Sequence, residues 1–276
     1  MKVAVSGIGG FLGRHLATFL GSRFEVFGIS SSGVKVDFPV VDFNRLDQIA
    51  PDVIVHCHAA VSSGTTVLDK ETLYDGNIVA TERILDQFPN AKHLYISTAS
   101  VYGPACETIT EHTQPNPQTD YAQSKRDAEN LVLQQRQSAV IRLSSLYGIG
   151  MKPNTLIPNY VTQALEKQTI TVWGTGARKQ NYFHIDDAVS LIQTIIEKGQ
   201  WHQPIFLGVS NWEFTNLEIA QIVASATNAQ IVHQNDDTSI SVKYDNSFTQ
   251  NTLNWHPETN IESGIKSYIE WRKKQY

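Results

Sequence analysis

The chain has 276 residues, 41% of them hydrophobic, enough for one large domain or two of modest size around a buried core. Its 22 Lys plus Arg against 27 Asp plus Glu leave a net charge of −5, with no basic block suited to a phosphate backbone, which argues against a nucleic-acid partner. Cys57 and Cys106 make no disulfide framework, and no stretch approaches the roughly 20 apolar residues of a membrane span, so a soluble cytoplasmic protein without a membrane partner is expected.

Residues 2–6 are too few and too β-branched for a helix and read as a strand. Phe11, Leu12, His15, Leu16, Phe19 and Leu20 then recur at helical spacing. The strand feeds the helix through Gly7, Gly10 and Gly13, with Gly9 between the first two; the spacing is offset by one residue from the GxGxxG fingerprint. In that context Gly7 makes the tight turn, Gly10 lets backbone approach an anion, and Gly13 lets helix lie close to sheet. The first-turn N–H groups, those of Phe11 and Leu12 included, face the pyrophosphate of a dinucleotide. No Gly-Lys-Ser/Thr follows, which excludes a Walker loop.

Residues 24–29 read as the second strand. Where an acidic residue usually meets the adenosine ribose of NAD, the chain has Ser30, Ser31, Ser32 and Gly33. Hydroxyls there suit a 2′-phosphate that Arg14 would neutralise, so the cofactor expected is NAD or NADP, with the lean to NADP. A strand over 34–41 leads to Asp42, a candidate for the adenine amino group, and to a short helix around Leu46. The fourth strand, 52–56, runs into Cys57, His58, Ala59 and Ala60. Alternate strand residues point to opposite faces, so His56, Cys57 and His58 do not make a metal site; Ala59, Ala60 and Ser62 instead read as small residues beside a cofactor. Residues 70–88 are helical, with Asn77 and Thr81 sharing a face. The next strand, 93–97, presents Thr98 to Gly103 at its carboxyl end, where open α/β sheets bind ligands.

Alternation of strand and helix over 2–143 predicts an α/β fold, a Rossmann-type doubly wound parallel sheet. Residues 107–120 read as a loop, 121–137 as a helix and 139–143 as a sixth strand. Beyond them come a helix over 155–168, a strand over 169–173, a turn at 174–178, and a helix over 186–198. A strand over 204–209 is expected to rejoin the main sheet, before helices over 214–227 and 261–274. The expected division is a dinucleotide-binding domain, 1–148, to which 176–208 returns, and a smaller α/β substrate lobe from 149–175 and 209–276.

Tyr121 and Lys125 stand four apart on one helix. A phenol near pKa 10 is a poor base at neutral pH, and a neighbouring ammonium would stabilise its phenolate. Tyr121 then exchanges a hydroxyl proton while a nicotinamide exchanges a hydride with the carbon; Thr98 holds the substrate oxygen.

Seven segments carry a resemblance over nearly the whole chain: GIGGFLG at 7–13, HCHAA at 56–60, NIVAT at 77–81, STASVYG at 97–103, YAQSK at 121–125, RLSSLYG at 142–148 and YFHIDDA at 182–188. Together they resemble the extended short-chain dehydrogenase/reductase superfamily, in its NAD-dependent epimerase/dehydratase branch. The resemblance implies Thr98, Tyr121 and Lys125 as catalytic residues, with Ser97, Asn77, Ala59 and Ala60 among those around the cofactor. It implies nucleotide-linked sugars as substrates, changed at C4, and a homodimer paired through the helices of 70–88 and 121–137. Dehydratases of the branch follow the threonine with Asp-Glu; Ala99 and Ser100 stand here, so reduction or oxidation at C4, or 4-epimerisation, is expected in place of dehydration. Gln180 replaces an arginine that meets the nucleotide diphosphate, leaving Arg178 and Lys179 as candidates for that task, and Ser145 stands where asparagine is common. Ser100 and Tyr147 are expected to border the sugar. A binding protein without turnover is the alternative outside enzyme chemistry.

Overall fold

The computed structural model describes residues 1–31, 33–61, 67–104, 108–153 and 155–275; Ser32, Ser62 and Cys106, named above, lie outside the described residues. Strand β1 (Lys2–Ser6), helix α1 (Phe11–Leu20) and strands β2 (Glu25–Ser30), β3 (Val40–Asp42) and β4 (Val53–His56) come first. Helix α2 (Lys70–Tyr74) continues through a π turn at Asp75–Val79 into α3 (Ala80–Gln87), followed by β5 (Lys92–Thr98), α4 (Asp120–Val132) and β6 (Ser138–Leu143). The remainder comprises β7 (Ser145–Tyr147), α5 (Leu156–Lys167), β8 (Thr169–Trp173), β9 (Lys179–His184), α6 (Ile185–Lys198) and β10 (His202–Gly208). The chain ends through β11 (Glu213–Thr215), α7 (Asn216–Thr227), β12 (Gln230–Gln234), α8 (Ser247–Leu253) and α9 (Ile261–Lys273).

Among the described residues, seven strands make one parallel sheet in the order β10-β6-β5-β4-β1-β2-β3. The doubly wound fold is therefore present, with its order reversing between β1 and β4, where such sheets open a crevice. The strands are apolar on both sides because both faces are covered. Val3, Val5, Val53 and Val55 pack with Leu12, Leu16 and Leu20 of α1 and with Leu191, Ile192 and Ile195 of α6. The alternate residues Ala4 and Ile54 meet Ile84 of α3, while Tyr95 and Val140 meet Ala128 and Val132 of α4. Burying the three leucines of α1, at roughly 1.5–3 kcal/mol each, outweighs the about 1 kcal/mol that Gly13 costs inside a helix.

A second core joins Tyr147, Val161, Ile170, Tyr182, Ile219 and Ile265, from α5, α7, α9 and the short strands between them. Strand β10 rejoins the main sheet beside β6, as expected. The strand expected over 34–41 shrinks to Val40–Asp42. Pro39 has no N–H for a ladder and gives its carbonyl to Gly28, while Val36 and Phe38 pack onto the first core. Helix α4 stops at Val132, short of 137, because Gln134 and Gln135 bond back three residues in turns before β6 begins. Strand β9 was not expected; it sits between β11 and β7 in a three-stranded sheet, and β12 pairs with β8.

Candidate active site

The glycine turn has the cramped geometry that its spacing implied. Gly7 has φ +68°, and a Cβ on it would lie 2.7 Å from the His58 backbone. A Cβ on Gly13 would lie 2.3 Å from the Gly7 carbonyl oxygen. Gly10 is the N-cap of α1, which has neither a side-chain cap nor an acidic residue in its first turn, so its leading N–H groups are left for an anion. This cradle fits the pyrophosphate of a dinucleotide. Ser30 ends β2, Ser31 is exposed just beyond it, and the exposed Asp42 accepts from the Asn44 N–H. Arg14 turns its Nε back onto the Gly9 carbonyl at 2.9 Å.

Past β4 the chain is held by Asn77. Its Oδ1 accepts from the Ala60 N–H at 2.8 Å, and its Nδ2 donates to the Ala60 carbonyl at 3.0 Å and to the Ser124 hydroxyl at 2.9 Å. Asn77 lies in the π turn, a distortion that recurs at functional sites. Its amide clamps backbone and does not point free towards a ligand; Ala60 is half-buried and Ala59 exposed. The His56 and His58 rings lie 5.7 Å apart; His56 Nε2 meets His93 at 3.0 Å, whereas the His58 ring meets Ser6 and Thr81.

Thr98, at the carboxyl end of β5, donates to the Ser100 hydroxyl at 3.1 Å. Tyr121 is in the first turn of α4, which Thr119 caps. Burial pushes the Tyr121 phenol up to about 12, and a hydrogen bond with Thr98 pulls it the other way. Lys125 is 2% exposed. It donates to the Ile96 carbonyl at 2.7 Å and lies 4.2 Å from the Tyr95 ring centroid. Burial brings it down to about 7, against which the carboxylate of Glu129 acts. The expected lowering of the phenol by the ammonium is absent from this arrangement: burial raises Tyr121, the hydrogen bond with Thr98 acts against it, and Lys125 bonds to backbone.

Beneath them Arg142 grips Glu129 with two hydrogen bonds, 2.9 and 2.7 Å, and Arg126 adds a third at 2.8 Å. Burial alone would raise the Glu129 carboxyl; Arg142 reverses this and holds it below its usual range. Ser97 is buried on the same strand end.

Thr98, Ser100 and Tyr121 line one wall of a cleft of about 1000 Å³, and Arg178, Lys179 and Gln180 line another. The Arg178 Nε is buried without a partner among the described residues, whereas the Gln180 amide donates to Asn216 and Tyr182 at 2.8 and 3.2 Å. Ser145 lines the cleft too. Tyr147 does not: it is 2% exposed in the second core, edge-on to the His184 ring. Tyr147 was expected to border the sugar, but it ends β7, a strand not expected from the sequence, which turns that side chain inward. Sequence reasoning missed Asp120, paired with Lys70 at 3.2 Å, and the wall made by Ile240, Val242 and Tyr244. The period-two spacing of those last three was the available signal. Among the described residues no helix is long and apolar enough to cross a membrane.

Known proteins are similar to the chain in sequence and in fold. The chain is 26% identical over 264 residues to a dTDP-D-glucose 4,6-dehydratase of Dictyostelium discoideum, a match covering 80% of the chain and only 61% of that protein. It is 26% identical over 310 residues to the dTDP-glucose 4,6-dehydratase of Mycolicibacterium smegmatis, covering 98% of the chain and 93% of the relative. The solved structure of a UDP-glucuronic acid 4-epimerase from Bacillus cereus, with UDP-glucuronic acid and NAD, shares the fold at TM-score 0.88 and 21% identity, with 100% of each chain covered. Residues 3–207 match the NAD dependent epimerase/dehydratase family, and the chain belongs to that family.

Proposed function

We propose that the chain is an NAD(P)-dependent oxidoreductase that reduces or oxidises C4 of a nucleotide-linked deoxysugar. The observation carrying this reading is the Thr98–Tyr121 pair on the wall of the cleft, with the buried Lys125 one turn further along α4. Gly7, Gly9, Gly10, Phe11, Leu12 and Gly13 would hold the pyrophosphate, Ser30, Ser31 and Asp42 the adenosine, and Ala59, Ala60, Ser97 and Lys125 the remainder. When bound, the dinucleotide supplies the hydride donor or acceptor. NAD is the cofactor proposed first, because a solved structure of the same fold carries it; the expectation of NADP from Ser30, Ser31 and Arg14 gains no support there.

Tyr121 moves the proton of the substrate hydroxyl, and Thr98 and Ser100 hold that oxygen. Arg178 and Lys179 meet the anionic linkage of the substrate, a task Gln180 cannot perform while its amide binds Asn216. Ala99 and Ser100 bring no carboxylate to the strand end, which disfavours elimination of water. The substrate lobe is assigned to 149–175 and 209–276, the dinucleotide domain to 1–148 with 176–208. A cytoplasmic homodimer completes the reading; Tyr74 and Val79, exposed on the helix proposed to pair, are consistent with it.

Epimerisation at C4 is the second reading, since one phenol serves both reactions. Purified protein that releases stoichiometric NAD on denaturation would favour the epimerase; protein that is empty and turns over added cofactor would favour the reductase. The decisive variant is Tyr121→Phe. It is expected to keep NAD affinity and lose turnover by at least about 100-fold. Turnover unchanged in that variant would leave only dinucleotide binding, the reading without catalysis.

A further inference from the structure

Between the glycine turn and helix α4 stands one imidazole with both ring nitrogens engaged. His58 Nδ1 is 2.6 Å from the hydroxyl of Ser6, the residue leading into Gly7, and Nε2 is 3.1 Å from the Thr81 hydroxyl on α3. Thr81 donates its single hydroxyl proton to the Asn77 carbonyl at 2.7 Å, so it can only accept from the ring. Nε2 therefore carries the hydrogen. Burial, and then the charge of Lys125, bring His58 down to about 3. The ring is neutral at pH 7, and Nδ1 is left as the acceptor for Ser6. A second bond recorded for Ser6, to the Val55 carbonyl at 3.4 Å, is too long to compete for that proton.

The connection continues beyond Thr81. The Asn77 amide holds both backbone groups of Ala60 and donates to Ser124, whose hydroxyl donates to the Tyr121 carbonyl at 2.9 Å. Four segments distant in sequence are thereby tied by side chains, and the link at its narrowest is a single ring. The backbone of that same residue fills the space a Cβ on Gly7 would need.

We propose that His58 is a positioning residue whose neutral Nε2–H form braces the glycine turn against the π turn and α4, setting the separation between the bound dinucleotide and Tyr121. The inference rests on the turn being the dinucleotide site of the proposed function. A leucine here would fill the space and brace neither side; a charged imidazole would keep its Nε2–H bond to Thr81 but turn Nδ1 from the acceptor of the Ser6 proton into a second donor, breaking the present bond to Ser6.

The test reads NAD affinity by calorimetry, which needs no sugar, in Ser6→Ala, Thr81→Val, their double variant and His58→Leu. One shared brace predicts about a tenfold weakening in each single variant and a double variant no weaker than the singles. Multiplying effects in the double variant, or wild-type affinity in His58→Leu, overturn the proposal. Long-range ¹H–¹⁵N NMR of the unaltered protein supplies a reading independent of how any variant folds. A hydrogen on Nε2 with no titration from about pH 5 to 8 is expected; a hydrogen on Nδ1, or a midpoint near the ordinary value of about 6.5, overturns the brace. Unaltered protein that binds no dinucleotide would instead sink the proposed function, and the NMR result would then decide the brace alone.

Discussion

Burial drives Tyr121 and Lys125 each towards its neutral form, the phenol up to about 12 and the ammonium down to about 7. The hydrogen bond with Thr98, whose own hydroxyl proton goes to Ser100, works against this for the phenol. Thr98→Val keeps the side-chain volume and removes that bond. Turnover is expected to fall about 10²-fold, the usual size for one positioned donor, with NAD affinity unchanged; a steady-state comparison in which turnover holds would show that Thr98 is a wall residue only. Tyr121, Lys125 and Thr98 were legible as chemistry because YxxxK on a helix and a threonine after an apolar strand are local patterns. Tyr147 was not correctly read, since which way a side chain leaves a three-residue strand depends on the neighbouring β9.

At the scale of elements, the helix expected over 70–88 is real but interrupted. Its π turn brings Asn77 to the backbone of Ala60 and to Ser124, so one amide closes the segment after β4 against α4. Asn77→Ala would leave the Ala60 N–H and carbonyl without these partners. Both are partly shielded, and the loss is expected to be about 1–3 kcal/mol, read as a lower urea midpoint with an unchanged slope. A midpoint equal to wild type would mean that water takes over the clamp. The periodicity of 70–88 pointed to a helix, but a one-residue bulge leaves no mark in an apolar pattern that stays approximately helical on either side.

For the whole molecule, the sheet buries groups that prefer to be neutral. Burial holds His93 at about 4 and His58 at about 3, and holds His56 well below its ordinary value. Between about pH 4 and 6.5 the unfolded chain takes up protons on these rings and the folded chain does not, so stability falls as pH falls through that window. Glu129, held low by Arg142 against burial, acts in the same direction below the ordinary carboxylate range. Lys125 extends the trend upward: from about 7 towards its unfolded value near 10.4 the unfolded chain again binds more protons, and stability rises with pH. Each pKa unit is worth about 1.4 kcal/mol, so the acid loss should reach several kcal/mol. Urea titrations at about pH 7 and 4.5 check this, and equal midpoints would show that the rings gain their protons without unfolding.

The sequence by itself determined the strand–turn–helix at 2–20, the alternating α/β order, the strand ends that carry Thr98 and the tyrosine and lysine of α4, because each depends on residues within a turn or two of one another. Only the tertiary structure decided that Ser6 and Thr81 meet on opposite sides of His58, that Asn77 spends its amide on backbone, and that Ile240, Val242 and Tyr244 wall the cleft. Such contacts join segments many residues apart: 52 separate Ser6 from His58. Their geometry follows from how whole elements pack on the sheet, and local propensity does not encode it.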